Sequence, residues 1–330
     1  MSSPTITLSA HCHCRRANLA CAIPATSSPL KSAICHCNSC RYSTGQLFGT
    51  FAVIPSPDTP DTSALTAYQS SAGLSRYFCP TCGASVSNIE PHEWEFASGL
   101  LTAETRKALG LTRVQLWVSD TEDGGCAGWL DAAAGRRGIN WENRESSEVS
   151  LQQVAEMRKQ SLEFIAGMRT DDGEEKLDGG CKCGKVRFYV LRPTEADGKG
   201  WYRASFCACS SCRLTTGFEI TAWTTVPRSK LFFPDGSPLD VSEAIEGLER
   251  YESSPGVERF FCRGCGATAF YWNRGLKARR ENVDVAVGLL RAKGGVLAQN
   301  WFKWDKIVQY TEDAIDTDFV EGFAKALRED

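Results

Sequence analysis

The 330-residue sequence predicts two tandem, mainly β domains, each stapled by metal through its cysteines and joined by an amphipathic helix. Three observations carry that expectation. One pattern of seven cysteines occurs twice, in the same order. Between the clusters run short segments rich in β-branched and aromatic residues, punctuated by Gly and Pro, which favour strands. Between the two copies lies a single stretch of helical period.

The first cysteine set is Cys12-x-Cys14, Cys35-x-Cys37-x-x-Cys40 and Cys79-x-x-Cys82; the second is Cys181-x-Cys183, Cys207-x-Cys209-x-x-Cys212 and Cys262-x-x-Cys265. Fourteen of the sixteen cysteines belong to it. CxC and CxxC bring two sulfurs close enough to chelate one soft cation. A CxC paired with a CxxC makes four sulfurs, a saturated structural site. CxCxxC then stands with three, a number that suits a metal keeping one open position. Two other partitions remain: CxCxxC borrowing a ligand from elsewhere, or three plain thiols. Cys21 and Cys126 have no counterpart in the second copy and read as small buried hydrophobes. All four histidines, His11, His13, His36 and His92, lie in the first copy, so histidine ligation is not the shared mechanism. His36, between two candidate ligands, is placed to act as a proton donor behind the metal.

The repeat extends beyond cysteine. Arg41-Tyr42-Ser43-Thr44-Gly45 answers Arg213-Leu214-Thr215-Thr216-Gly217, and each follows the third cysteine of its cluster. Strand-like runs closed by proline come next, 51–55 and 222–227. Arg76-Tyr77-Phe78 and Arg259-Phe260-Phe261 precede the CxxC pairs, and Gly83 and Gly266 follow them. Such a Gly tolerates positive φ and lets backbone amides point at sulfur. The domains are therefore drawn as 1–145 and 177–330, with a helical linker over 146–176. Within the linker, Ser150 and Gln153 form a capping box, and Leu151, Val154, Ala155, Leu162, Ile165 and Ala166 recur at helical spacing until Asp171-Asp172-Gly173. A short C-terminal helix is expected from about Asp316, with Phe319, Phe323 and Leu327 on one face.

The bulk numbers narrow the class. A chain of this length holds two ordinary domains, each with its own core. A net charge of -3 argues against nucleic acid as the main partner. No apolar run approaches the roughly 18 residues that span a bilayer, and MSSPTITLSA has no signal-peptide form. Clustered cysteines in such a chain suit a reducing, cytoplasmic setting, where they bind metal more often than they cross-link.

CxC, CxCxxCR and FCxxCG in this order resemble the family of glutathione-dependent formaldehyde-activating enzyme and centromere protein V. Both copies carry the motifs. The resemblance implies two zinc-binding β-tent domains. It implies structural zinc on Cys12, Cys14, Cys79 and Cys82 and on Cys181, Cys183, Cys262 and Cys265. It implies activity-linked zinc on Cys35, Cys37 and Cys40 and on Cys207, Cys209 and Cys212, about four ions per chain. Two departures stand out: Arg15 replaces the Gly that usually follows CxC, kept as Gly184 in the second copy, and Ala208 replaces the His kept as His36.

The implied activity is of the carbon–sulfur lyase type, making or breaking a bond between the sulfur of glutathione or another thiol and an electrophilic carbon. Arg41 and Arg213 are the candidate substrate-binding residues: a planar guanidinium either grips a substrate carboxylate or neutralises the sulfurs. The competing readings are a zinc-stapled protein-interaction scaffold without a reaction, and a mixed chain with one catalytic and one architectural copy in which duplication imitates a homodimer.

Overall fold

The structure is a computed structural model and describes residues 4–54, 61–89, 94–133, 138–143, 145–168, 175–194 and 200–330. Pro55, His92 and the Asp171-Asp172-Gly173 stop lie outside them.

The first copy begins with a ribbon of β1 (Thr5–His11) and β2 (Asn18–Pro24). Then come β3 (Leu30–Cys35), helix α1 (Asn38–Thr44), β4 (Gly49–Val53), β5 (Thr66–Ser71), β6 (Leu74–Phe78), β7 (Ser85–Ile89), β8 (Trp94–Ala97), helix α2 (Ala103–Ala108) and β9 (Leu111–Leu116). Seven of these strands form one sheet in the order β5-β6-β7-β8-β4-β3-β9, antiparallel except for the β3–β9 pair. Helices α3 (Ala127–Ala133) and α4 (Leu151–Gly167) lead to the second copy. There β10 (Lys176–Gly180), β11 (Arg187–Leu191) and β14 (Leu231–Phe232) make the ribbon. The main sheet uses β12 (Tyr202–Cys207), β13 (Thr221–Pro227), β15 (Leu248–Ser254), β16 (Val257–Cys262), β17 (Thr268–Asn273), β18 (Asn282–Ala286) and β19 (Phe302–Gln309), in the order β15-β16-β17-β18-β13-β12-β19. Helix α5 (Ser210–Thr216) repeats α1, and α6 (Thr317–Glu329) closes the chain with Phe319, Phe323 and Leu327 buried. No helix among the described residues is long and apolar enough to cross a membrane.

The capping box at Ser150 and Gln153 starts α4 as its sequence requires. Of the helix's apolar positions, however, only Val154 is buried, while Leu151, Leu162 and Phe164 stay exposed.

The turns that carry the cysteines are built on positive φ. Cys12 and Cys181 each directly follow a ribbon strand, and their N–H groups donate to Ala17 O and Val186 O across the turn. At the position after each CxC, Gly184 has φ 78° and Arg15 φ 61°. The exposed Arg15 thus takes a left-handed conformation that its Cβ disfavours by about 1–2 kcal/mol. This is why the missing glycine leaves the turn intact. Gly45 and Gly217, with φ 79° and 98°, cap α1 and α5.

The two copies meet as a two-fold pair would, through reciprocal contacts. Gly99 N–H donates to Gly217 O at 3.0 Å and Gly288 N–H to Gly45 O at 3.1 Å; His13 N–H donates to Leu214 O at 3.0 Å and Lys182 N–H to Tyr42 O at 2.8 Å. A Cβ on Gly83 would lie 2.4 Å from the Phe261 ring, and one on Gly266 2.4 Å from the Phe78 ring. The glycine after each CxxC therefore serves the turn and the seam together. Ile34, Leu47, Phe48, Trp129 and Leu130 of the first copy join the same apolar core as Phe206, Trp301 and Phe323 of the second.

A buried ion network also spans the seam. Arg113 lies 3.0 Å from Glu219 and 2.6 Å from Asp316, and Arg106 lies 2.8 Å from Asp316. Glu219 also accepts from Ser98 at 2.8 Å and from Thr50. At the position equivalent to Glu219 the first copy has Leu47, so only one side of the seam carries this charge.

Two outcomes are expected. Arg15→Gly should raise unfolding free energy by about 1 kcal/mol, read by urea titration. Arg113→Met should lower it by roughly 3–5 kcal/mol, because buried carboxylates lose their cation. Arg113→Met with Glu219→Leu should recover a large part of that loss by the same titration.

Candidate metal centres

All sixteen cysteines are free. Fourteen of them gather into four clusters, each with its sulfurs within 4.8 Å of one another: Cys12, Cys14, Cys79 and Cys82; Cys181, Cys183, Cys262 and Cys265; Cys35, Cys37 and Cys40; and Cys207, Cys209 and Cys212. Cys21 and Cys126 belong to none of them; Cys126 is buried, and burial pushes its thiol pKa up.

In the four-sulfur clusters a ribbon turn meets a CxxC turn. The Sγ–Sγ distances are 3.5 Å for Cys12–Cys14, 3.4 Å for Cys14–Cys79, 3.5 Å for Cys181–Cys183 and 3.4 Å for Cys183–Cys262. These are far beyond a disulfide bond. Sulfurs about 2.3 Å from one central ion would stand about 3.8 Å apart, so the clusters fit a tetrahedral thiophilic cation. Backbone N–H groups already point at sulfur, Ala17 at Cys12 (3.4 Å), Val186 at Cys181 (3.4 Å) and Gly264 at Cys262 (3.3 Å).

The three-sulfur clusters form where a central strand runs into a short helix. Cys37 and Cys209 are the N-caps of α1 and α5, and their Sγ atoms accept from Cys40 N–H at 3.2 Å and Cys212 N–H at 3.3 Å. Cys40 Sγ lies 3.3 Å from Cys35 Sγ. Behind each helix start sits a carboxylate: Asn38 N–H donates to Asp120 at 2.8 Å and Ser210 N–H to Asp313 at 3.0 Å. Thr44 and Thr216 turn their hydroxyls back to Cys40 O and Cys212 O, so the Thr-Gly pair is a helix-ending turn.

The charge partners of these sulfurs are Arg76 and Arg259, which sequence reasoning had noted only as part of the repeat. Arg76 Nη2 lies 3.4 Å from Cys40 Sγ, and the two terminal nitrogens of Arg259 lie 3.6 and 3.5 Å from Cys212 Sγ. Both guanidinium groups are buried, at 5% and 3% exposure, and among the described residues neither has a carboxylate within ion-pair reach. A buried cation with only hydroxyl, amide and sulfur neighbours needs an anion, and sulfur supplies it. Hydrogen bonds from Cys35 and Cys37, with the Arg76 guanidinium behind them, hold Cys40 well below the usual thiol range; Cys207, Cys209 and Arg259 do the same for Cys212.

Arg41 and Arg213 point elsewhere. Arg41 donates to Asn38 Oδ1 at 2.8 Å and across the seam to Leu290 O at 3.2 Å; Arg213 donates across it to Gly99 O. His36 is buried against Phe48, and its Nε2 meets Gln115 Oε1 at 3.0 Å. Burial lowers its pKa to about 4, so the ring is neutral at neutral pH. His13 Nδ1 reaches Tyr251 Oη across the seam at 2.7 Å. Phe48 and Phe218 are core residues.

The second copy's three-sulfur cluster forms part of the wall of a cavity of about 450 Å³. Arg203, Trp223, Tyr271, Arg279 and Asp284 are among its other lining residues. Asp284 accepts from Thr225 at 2.7 Å and pairs with Arg279, while burial raises its pKa. In the first copy the strand register puts Phe51 and Asn88 where the second has Trp223 and Tyr271.

No curated protein matches the chain. Among solved structures, a Rhodobacter sphaeroides protein determined by structural genomics is similar, at 22% identity and a TM-score of 0.26, covering 39% of this chain and 99% of its own. The family model described as glutathione-dependent formaldehyde-activating enzyme matches residues 7–117 and again 176–303, one match for each set of sulfur clusters. The chain therefore belongs to the glutathione-dependent formaldehyde-activating enzyme family, of which it carries two tandem copies.

Proposed function

We propose that the chain is a zinc-dependent enzyme of the carbon–sulfur lyase type, acting on the adduct of an aldehyde with glutathione or another thiol. In this reading the second copy works and the first is chiefly architectural. The observation that carries it is the cavity walled by Cys207, Cys209 and Cys212, whose volume suits a small-molecule site.

The four-sulfur clusters would hold structural zinc, and the three-sulfur clusters would hold zinc with one position left for substrate. Four sulfurs at tetrahedral spacing and three at a helix start fit that donor set. Zinc with an exchangeable position supplies Lewis acidity or keeps a thiol deprotonated at neutral pH. The chain's own residues do the rest. Arg259 offsets the negative charge of three thiolates, whose sum with one divalent ion is about -1. Trp223 and Tyr271 offer apolar surface to the body of the adduct, while Arg203 and Arg279 have their charge met by Asp305 and Asp284 and offer only their remaining N–H groups. In the forming direction the thiolate sulfur attacks the carbonyl carbon, the C–S bond forms, the carbonyl electron pair moves to oxygen, and oxygen takes a proton from water. The cleaving direction reverses each step.

In this proposal Arg41 and Arg213 do not grip the adduct. Neither lines the sulfur cavity, and both are tied across the seam. Phe51 and Asn88 in place of Trp223 and Tyr271 support an architectural first copy.

The test is the exchange rate between formaldehyde, glutathione and S-hydroxymethylglutathione, followed by NMR on the full chain. Cys209→Ser should lose roughly 100-fold or more, beyond what loss of an outer partner costs. Cys37→Ser should stay within about twofold. No acceleration by the unaltered protein, or the larger loss in Cys37→Ser, would overturn the assignment.

A further inference from the structure

A second cavity, of about 550 Å³, opens on one side of the seam, away from the sulfur cavity. Its walls come from three parts of the chain: α1 and the turn after β9 in the first copy, the 290–296 segment of the second, and helix α4. Two guanidinium groups converge there. Arg41 sits 5.2 Å from the centre of the Tyr42 ring and Arg291 4.5 Å from it, so one aromatic ring is shared by two cations. Arg41 is only 3% exposed, and its Nε finds no acceptor among the described residues. Its other bonds go to an amide oxygen and a backbone carbonyl, both neutral. Arg291 likewise donates to a backbone carbonyl, Gly180 O, at 3.3 Å. Among the described residues neither guanidinium has a carboxylate within ion-pair distance. Lys293 adds a third cation at the wall.

Two acidic residues line the same cavity. Asp120 is engaged with the N–H of Asn38, and Glu122 is exposed. Asp120 and the nearby buried Asp123 act on Arg41 through space, but among the described residues neither comes within ion-pair distance of either guanidinium.

The duplication supplies an internal control. The seam's other side is built from the equivalent residues, so anything the fold itself needs should occur on both. The positions equivalent to Tyr42 and Arg291 are Leu214 and Thr102. The Arg–Tyr–Arg cluster exists on one side alone, the side that α4 walls with Ser161 and Phe164. Ser161 fixes the helix there by donating to Gly294 O.

We propose that this cavity is a binding site for a small oxyanion, the carboxylate or phosphate group of a metabolite, held between Arg41 and Arg291. Phe164 covers the apolar part of the ligand. Charge-assisted bonds from two guanidinium groups suit either group. The site is separate from the thiol chemistry and does not depend on it. Because its walls come from both copies and the linker, an occupant would tie all three together.

The test uses the full-length protein with inorganic phosphate and, separately, succinate, against sodium chloride at equal ionic strength. Calorimetric titration and thermal melts give the readout. At least one of the two anions should bind and raise the melting temperature; which one does so identifies the group. Arg291→Ala with Lys293→Ala, both exposed positions, should weaken that binding at least tenfold, about 1.4 kcal/mol, with unchanged metal content. Binding no tighter than chloride for both anions, or equal binding by the double variant, would overturn the site. Binding lost in Cys209→Ser but kept in the double variant would place the anion in the sulfur cavity and contradict it too.

Discussion

Four groups of thiols are packed within a few ångströms of one another in a largely buried setting, and that crowding governs the rest of the molecule. Thiolates so close repel, and each loses hydration on burial. Such groups persist only if positive charge is delivered to them. The chain delivers part of it through amide N–H groups aimed at sulfur, and at the three-sulfur clusters through buried Arg76 and Arg259. A divalent cation at the centre of each cluster would complete the balance. The need to hold sulfurs at this spacing explains the left-handed turns at Arg15, Gly83, Gly184 and Gly266. It also explains why each three-sulfur cluster straddles a strand end and a helix start.

Duplication turns these local devices into a shared structure. The same glycines that shape the CxxC turns receive aromatic rings from the other copy, and the glycines that end α1 and α5 touch backbone across the seam. A side chain added at any of them would disturb both copies. Against this reciprocity, the differences are informative. Glu219 faces Arg113 where the other side has Leu47, and the Arg41–Tyr42–Arg291 cluster faces α4 where the other side has Leu214 and Thr102. A buried charge network formed on one side fixes how the halves register, since any other pairing strands a charge. Freed from identical duty, the halves have diverged around their sulfur clusters too, with Trp223 and Tyr271 in one and Phe51 and Asn88 in the other.

Much of this was legible in the sequence, for physical reasons. CxC and CxxC spacings constrain sulfurs locally, so pairing CxC with CxxC was one of several partitions that spacing allowed, and the family resemblance selected it; the Ser150 cap and the apolar face of α6 were legible from local pattern. What stayed hidden depends on contacts between distant segments. Arg76 and Arg259 stand in both copies beside the CxxC motif, but their place over α1 and α5 follows from how β6 and β16 lie in the sheet. Asp120 and Asp313 sit 82 and 103 residues beyond Asn38 and Ser210, the helix-start residues whose N–H groups they accept from. For Arg41 and Arg213 the case is the opposite: adjacency in sequence to the third cysteine suggested a place beside the sulfurs, whereas their hydrogen bonds run across the seam to Leu290 O and Gly99 O. The exposed apolar side of α4 shows the limit of periodicity, which marks a stripe without saying what covers it.

The most direct measurement is metal analysis combined with X-ray absorption at the zinc edge, on freshly purified full-length protein. The account predicts four zinc ions per chain, with an average of between three and four sulfurs each and a lighter ligand completing the sphere at two of them. One zinc or none, or four sulfurs around every ion, would contradict it.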